Sequence, residues 1–236
     1  MVDLKEFEQK AADLRVLGMK ISIGQDTVYE KYWDEDCRRN IYSASKSFTS
    51  CAVGFAVQEG LIDLDERLMD AYKEDIPNNP DENLKKATVK DLLTMTLGQE
   101  KGFLMGKQRP RMEEQNWVKA SLAIPFVYEP GTHFVYNNVG PYLAGILVQR
   151  RAGCDLLSYL TPRLLKPLGI RKTIWEVDPE GNTFGAGGLF LTVSELHKLG
   201  MFYLQNGCWN GKKLLSKEWI HESTRKQVEN NKNSYG

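Results

Sequence analysis

The chain has 236 residues, 42% hydrophobic and 26% charged, a composition that suits one large globular domain or two small lobes. Its 31 basic residues balance 31 acidic ones, so no basic surplus is available to hold nucleic acid. No apolar run approaches membrane-spanning length, and the three histidines and four cysteines lack metal-binding spacing. We therefore expect no nucleic-acid partner, no membrane span, no metal and no other cofactor.

The first segment has the pattern of an amphipathic helix rather than of a signal peptide. Its apolar residues Leu4, Phe7, Ala11 and Leu14 fall on one helical face. We expect a cytoplasmic protein, or a secreted one whose signal has been removed. Apolar and polar residues then alternate at 19–23 and 27–33 and predict a β-hairpin.

The next long segment, residues 43–58, is apolar on nearly all sides and ends at Gly60, which predicts a helix buried in the middle of the fold. Further helices are predicted from Thr88 to Gly98, from Pro141 to about Arg151, and after a capping box of Thr192 and Glu195. Asn210-Gly211 predicts a tight hairpin turn.

The predicted strands are too few for a stable sheet, because a two-stranded hairpin needs more strands or a packing partner. Little after residue 170 has the pattern of a full sheet. Either the hairpin packs on helices alone, or strands are missing from this chain.

The residues 43–46, Ser-Ala-Ser-Lys, fit the pattern S-x-x-K. Residues three apart share a helix face, so the Lys46 amine can reach the Ser43 hydroxyl. A serine needs a nearby base to act as a nucleophile, and a buried lysine with a lowered pKa can be that base. The alternative is a helix-capping serine beside an exposed amine. The pattern also arises by chance, since Ser223–Lys226 fits it in a charged stretch that looks like a solvated helix face.

A second element is the single Y-x-N of the chain, Tyr136-Asn137-Asn138. Tyr136 precedes a predicted helix and should lie on a loop, where catalytic side chains are common. A phenol near a lysine cation ionises more easily and could act as a base toward Ser43. The alternatives are an ordinary half-buried tyrosine at 136 and a helix N-cap at Asn138.

Together, S-A-S-K and Y-N-N resemble the motifs of the β-lactamase and penicillin-binding-protein superfamily, especially class C β-lactamases, D-Ala-D-Ala peptidases and related esterases. Residues 59–65, 185–190 and 209–215 also resemble stretches typical of this family, as do residues 91–98, where Met95 and Leu97 depart from its pattern. The resemblance spans roughly residues 19 to 236.

The resemblance implies a catalytic role for Ser43, Lys46 and Tyr136. Ser43 would be acylated by a small-molecule or peptide substrate, and Lys46 would help to deprotonate it. Tyr136 would carry the proton to the leaving group, and Asn138 would bind the substrate amide. The substrate could be a β-lactam, a D-amino-acid peptide, an ester or a small amide, and the sequence does not decide whether lysine or tyrosine is the base.

The implied fold is α+β and β-lactamase/transpeptidase-like, with a helical lobe packed against an antiparallel sheet whose C-terminal strands are missing here. We expect one domain over residues 1–236, C-terminally incomplete, with a helix and hairpin in 1–40 and a mainly helical lobe in 41–236.

One family motif is missing from the sequence, since it contains no K-T-G or H-x-G. We therefore expect a lone chain not to be fully active, and another copy or a complementing chain could complete it. The alternatives are a binding or sensor relative that acylates without turnover, and a structural helical domain.

Overall fold

The computed structural model describes residues 4–11 and 13–230. Its first elements are a short helix and a β-hairpin, and most of the remaining chain is helical. The helices are α1 (Lys5–Ala11), α2 (Ser45–Gln58), α3 (Leu68–Ala71), α4 (Glu82–Lys86), α5 (Val89–Leu93), α6 (Trp117–Leu122), α7 (Val139–Ala152), α8 (Leu156–Leu160), α9 (Val193–Leu204) and α10 (Lys217–Thr224). The strands are β1 (Gly18–Ile23), β2 (Asp26–Tyr32), β3 (Arg39–Asn40), β4 (Phe190–Leu191), β5 (Cys208–Trp209) and β6 (Lys212–Lys213).

The strands form three antiparallel pairs, β1–β2, β3–β4 and β5–β6. Within residues 4–11 and 13–230, no sheet has more than two strands. Both predicted hairpins are confirmed. The turn of the second has Asn210 at φ 48° and Gly211 at φ 75°, the left-handed pair that a two-residue hairpin turn needs. The first hairpin packs on a helix, since Ser22 Oγ on β1 lies 2.9 Å from His197 Nε2 on α9.

The core lies between helices α2, α5 and α7. The predicted buried helix is confirmed, because Phe48, Cys51 and Val53 of α2 have no exposed surface. Helix α7 approaches α5 at Gly140, where an added Cβ would lie 2.2 Å from the carbonyl oxygen of Leu92. This close approach fixes the start of α7 relative to α5.

Several helix boundaries differ from their predictions. Helix α5 ends at Leu93 rather than Gly98, because Met95 has a left-handed backbone with φ 58°. Helix α7 begins at Val139, two residues before Pro141. Helix α1 ends at Ala11, so Leu14 is 65% exposed instead of completing an apolar face.

The capping boxes at Thr88–Asp91 and Thr192–Glu195 are both formed. In the part of the chain that the structure describes, no helix is long and apolar enough to cross a membrane. The division into segments 1–40 and 41–236 stays a prediction, although β3 from the first pairs with β4 from the second.

Candidate active site

Ser43 lies in a tight 3-10 turn, Tyr42–Ala44, that links β3 to α2. The turn begins with Tyr42 in a left-handed conformation at φ 47°, and its N–H donates to Asn40 Oδ1 at 2.7 Å. Helix α2 starts only at Ser45, so the predicted helix from Ser43 is shorter by two residues. The Ser43 side chain is exposed, and Lys46 follows in the first turn of α2.

The Lys46 amine lies among three oxygen acceptors. Its Nζ is 2.6 Å from the carbonyl oxygen of Ala186, 2.8 Å from Asn138 Oδ1 and 3.2 Å from Ser43 Oγ. A neutral amine has two protons and one lone pair. If the two shorter contacts take the protons, the lone pair is left facing the serine hydroxyl.

The pKa of Lys46 is lowered to about 8, first because burial disfavours the charged amine and second because the positive charge of Arg109 repels it. With that pKa, about a tenth of the amine is neutral at pH 7. The sequence predicted such a lysine beside Ser43, and the structure brings the two side chains into contact.

Tyr136 lies on the loop before α7, as predicted, and its hydroxyl donates to Ser43 Oγ at 2.7 Å. The Lys46 Nζ lies 5.3 Å from the centre of the Tyr136 ring, where the face of the ring attracts a cation. The hydroxyl of Ser43 therefore contacts an amine on one side and a phenol on the other.

Asn138 occupies the N-cap position of α7, but its side chain does not cap the helix. Its Oδ1 accepts from Lys46, and its Nδ2 donates to the carbonyl oxygen of Leu104 at 2.9 Å. The neighbouring Asn137 binds the helix instead, because its Oδ1 accepts from the N–H of Gly140 at 3.0 Å. Asn138 thus lies in the site beside Lys46. The alternative that the sequence left open, a side chain that only caps the helix, is not what the structure shows.

The side chains of Ser43, Lys46 and Tyr136 border a cavity of about 500 Å³. Its walls come from the start of α2, from the segment after α5, from the Tyr136 loop and from the end of α10. The lining residues include Ser43, Lys46, Leu93, Met95, Phe134, Tyr136, Ser223 and Val228. Within the described residues no group of His, Cys, Asp or Glu side chains is arranged to hold a metal ion.

Two residues of the site were not singled out from the sequence. Ala186 lies in a glycine-rich turn within residues 185–190, which the sequence analysis marked only as a family-typical stretch, and its carbonyl contact with Lys46 depends on packing. Arg109 lies in a 3-10 turn, Arg109–Arg111, and no local pattern places it near Lys46.

The fold is that of β-lactamases and transpeptidases. The structure resembles that of the octameric penicillin-binding protein homologue from Pyrococcus abyssi with a TM-score of 0.76, over 100% of this chain and 63% of that one at 22% identity. The model of the Beta-lactamase family matches residues 5–234, so the chain belongs to that family.

Two curated relatives are similar in sequence over part of their length. Monacolin J acid methylbutanoyltransferase of Aspergillus terreus is 31% identical over 157 residues, which are 58% of this chain and 37% of that protein. Lovastatin esterase of Penicillium rubens is 30% identical over 150 residues, 54% of this chain and 37% of that protein. The chain thus spans well under half the length of both curated relatives, which by name are an acyltransferase and an esterase.

Proposed function

We propose that the protein is a serine hydrolase that forms an acyl ester on Ser43 and releases the acyl group to water. The observation that supports this most directly is the position of Ser43 Oγ, 3.2 Å from the Lys46 amine and 2.7 Å from the Tyr136 hydroxyl. Both groups can exchange protons with a reacting hydroxyl at these distances.

In the proposed acylation, Ser43 Oγ attacks the substrate carbonyl carbon while its proton passes to the neutral Lys46 amine. The Tyr136 hydroxyl gives its proton to the leaving group, the bond to that group breaks, and the acyl ester on Ser43 remains. Tyr136 is then reprotonated by the Lys46 ammonium, which restores both groups. Attack of water on the ester, by the reverse proton transfers, releases the acid.

The pKa of Lys46 supports it as the base that deprotonates Ser43. At a pKa of about 8, a neutral amine is present at physiological pH and is still basic enough to accept the proton. In this proposal Tyr136 therefore carries out the other proton transfer, to the leaving group. Asn138 holds the amine in place, and in this proposal its amide also borders the position of the substrate.

Among the substrate classes that the sequence left open, we favour carboxylic esters with small acyl groups. The support comes from the relatives, whose names describe a methylbutanoyltransferase and an esterase. β-Lactams, D-amino-acid peptides and small amides are the alternatives to be compared in the same assay. The octameric state named for the Pyrococcus relative supports a homo-oligomer, which light scattering would measure.

Intact-mass spectrometry tests the proposal. The protein is incubated separately with a fluorophosphonate, a p-nitrophenyl ester and a penicillin, and a single adduct is expected that disappears in Ser43→Ala. Ser223→Ala is the matched control, because Ser223 heads the second S-x-x-K and lines the same cavity. Labelling that survives Ser43→Ala, or that is absent from folded wild-type protein, would contradict the proposed nucleophile.

The fate of the adduct separates the two outcomes of acylation. Repeated release of p-nitrophenol identifies a hydrolase. An ester that persists after one equivalent identifies the alternative, a binding or sensor relative. High turnover by a purified monomer ending at Gly236 would contradict our expectation that the lone chain is not fully active.

A further inference from the structure

We propose that Arg109 and Glu176 are positioning residues for the acyl transfer at Ser43, linking the turn that carries the nucleophile to the segment that holds Lys46. This inference rests on the proposed function.

The link begins at Asn40, the residue of β3 that precedes the nucleophile turn. Its side-chain oxygen accepts from the N–H of Tyr42, and its Nδ2 donates to Glu176 Oε1 at 3.0 Å. The left-handed backbone of Tyr42 is one that a tyrosine adopts only when its surroundings impose it. Glu176 therefore orients the amide that holds this strained residue, directly before Ser43.

The second oxygen of Glu176 binds Arg109, whose Nη1 lies 3.1 Å from Oε2. The guanidinium is also stacked on Phe184, with its carbon 4.3 Å from the ring centre. Contacts to a carboxylate and to an aromatic face hold the Arg109 charge in one position. That position is close enough to Lys46 for the two positive charges to repel.

Glu176 also borders the turn that binds the Lys46 amine. Its N–H donates to the carbonyl oxygen of Gly188 at 2.9 Å, and its own carbonyl accepts from Phe184 at 2.8 Å. Gly188 has φ 83°, and a Cβ there would lie 2.5 Å from the Cβ of Glu176. The turn between these two bonds contains Ala186, so Glu176 contacts the supports of both Ser43 and Lys46.

The other ionisable groups around the Lys46 amine stay unchanged when Arg109 or Glu176 is substituted. The phenol of Tyr136 faces it, with the ring centre at 5.3 Å. Lys90 from α5 and Glu222 from α10 line a cavity with Lys46, and their charged groups lie 4.0 Å apart. Arg225 pairs with Glu222 at 2.5 Å. These charges largely pair with one another and do not change when the Arg109–Glu176 pair is altered.

The test is the pH dependence of Ser43 acylation by a p-nitrophenyl ester in two opposite variants. In Glu176→Gln the Arg109 charge is uncompensated and disfavours the Lys46 ammonium more strongly. The rising limb of the pH–rate profile should therefore move to lower pH by about half a unit. In Arg109→Gln the carboxylate remains alone, and the limb should move to higher pH by a similar amount. In the double variant the midpoint of the pH–rate profile should return close to that of wild type. Arg109→Lys keeps the positive charge, so its midpoint should also lie close to that of wild type.

Glu59→Gln is the matched control, because Glu59 also forms a carboxylate–guanidinium pair, with Arg163. Glu59 lies at the C-terminal end of α2, while Lys46 lies at the N-terminal end of that helix. Glu59→Gln should leave the limb unmoved. Circular dichroism checks that each variant folds. Limbs that stay at the wild-type pH in both folded variants would overturn the proposal while leaving acylation of Ser43 intact. Wild-type protein that is not acylated at Ser43 would overturn the proposed function, and this inference with it.

Discussion

The side-chain amide of Asn138 binds Lys46 at 2.8 Å, while that of its neighbour Asn137 binds the first turn of α7. Two adjacent residues of the same type thus have separate tasks, one in the site and one in the helix. Replacing each asparagine by alanine therefore measures the contribution of Asn138 to the site and that of Asn137 to the stability of the helix.

Asn138→Ala removes one of the two carbonyl acceptors that orient the Lys46 amine. A lost hydrogen bond to a charged or strongly polar group is worth about 1.5–3 kcal/mol, so we expect acylation to slow by about 10-fold to 100-fold. Asn137→Ala should instead lower the free energy of unfolding by about 1 kcal/mol and leave the acylation rate of the folded protein close to wild type. Stopped-flow acylation and urea unfolding of both variants make the comparison. Equal rates for the two variants would contradict the assignment.

Tyr136→Phe removes the hydroxyl that donates to Ser43 and keeps the ring beside Lys46. Because positioned proton transfer contributes about 10²-fold to 10⁴-fold, the acylation rate should fall within that range. Tyr128→Phe is the control, since Tyr128 stacks on His133 in the same region of the chain, 4.3 Å between ring centres. Steady-state kinetics on one ester would show the difference. A Tyr136→Phe enzyme with wild-type kcat would exclude the phenol from the mechanism.

The rate of Ser43 acylation should rise with pH and reach half of its maximum near pH 8. Burial lowers the pKa of Lys46 to about 8, so the neutral base is the minor form below that pH and the major form above it. Asn138→Asp places a negative charge beside the amine, raises the pKa of Lys46 and should move the limb to higher pH. A profile that is flat between pH 6 and 9 would argue against Lys46 as the base.

Two glycines in helices should respond in opposite directions to alanine. Gly140→Ala places a Cβ against the backbone of Leu92 and should destabilise the fold by about 1–3 kcal/mol. Gly200 in α9 has open space around it, so Gly200→Ala should stabilise by up to about 1 kcal/mol through helix propensity. Chemical unfolding measures both changes. Equal stability of the two variants would show that α5 and α7 can separate without cost.

Local patterns predicted the elements whose interactions lie within a few residues. The predicted capping box of Thr192 and Glu195 formed because it satisfies backbone groups of its own first turn. At Thr88, where only a helix start was predicted, Asp91 completes a second capping box. The Asn210-Gly211 turn also formed as predicted, because both residues adopt the left-handed backbone that a two-residue hairpin turn needs. The end of α5 was not predicted, because Met95 adopts its left-handed backbone where the N–H of Val135, from a distant loop, donates to its carbonyl oxygen at 2.9 Å.

The sequence by itself predicted that Ser43 and Lys46 are neighbours, because the pattern of residues 43–58 predicts a helix and residues three apart share a helix face. The motif resemblance added Tyr136, 93 residues away. Only the tertiary structure decided that Ala186, Asn138 and Arg109 surround the amine. Hydrogen bonds, burial and charge at the amine depend on how distant segments pack, and no local spacing encodes that packing.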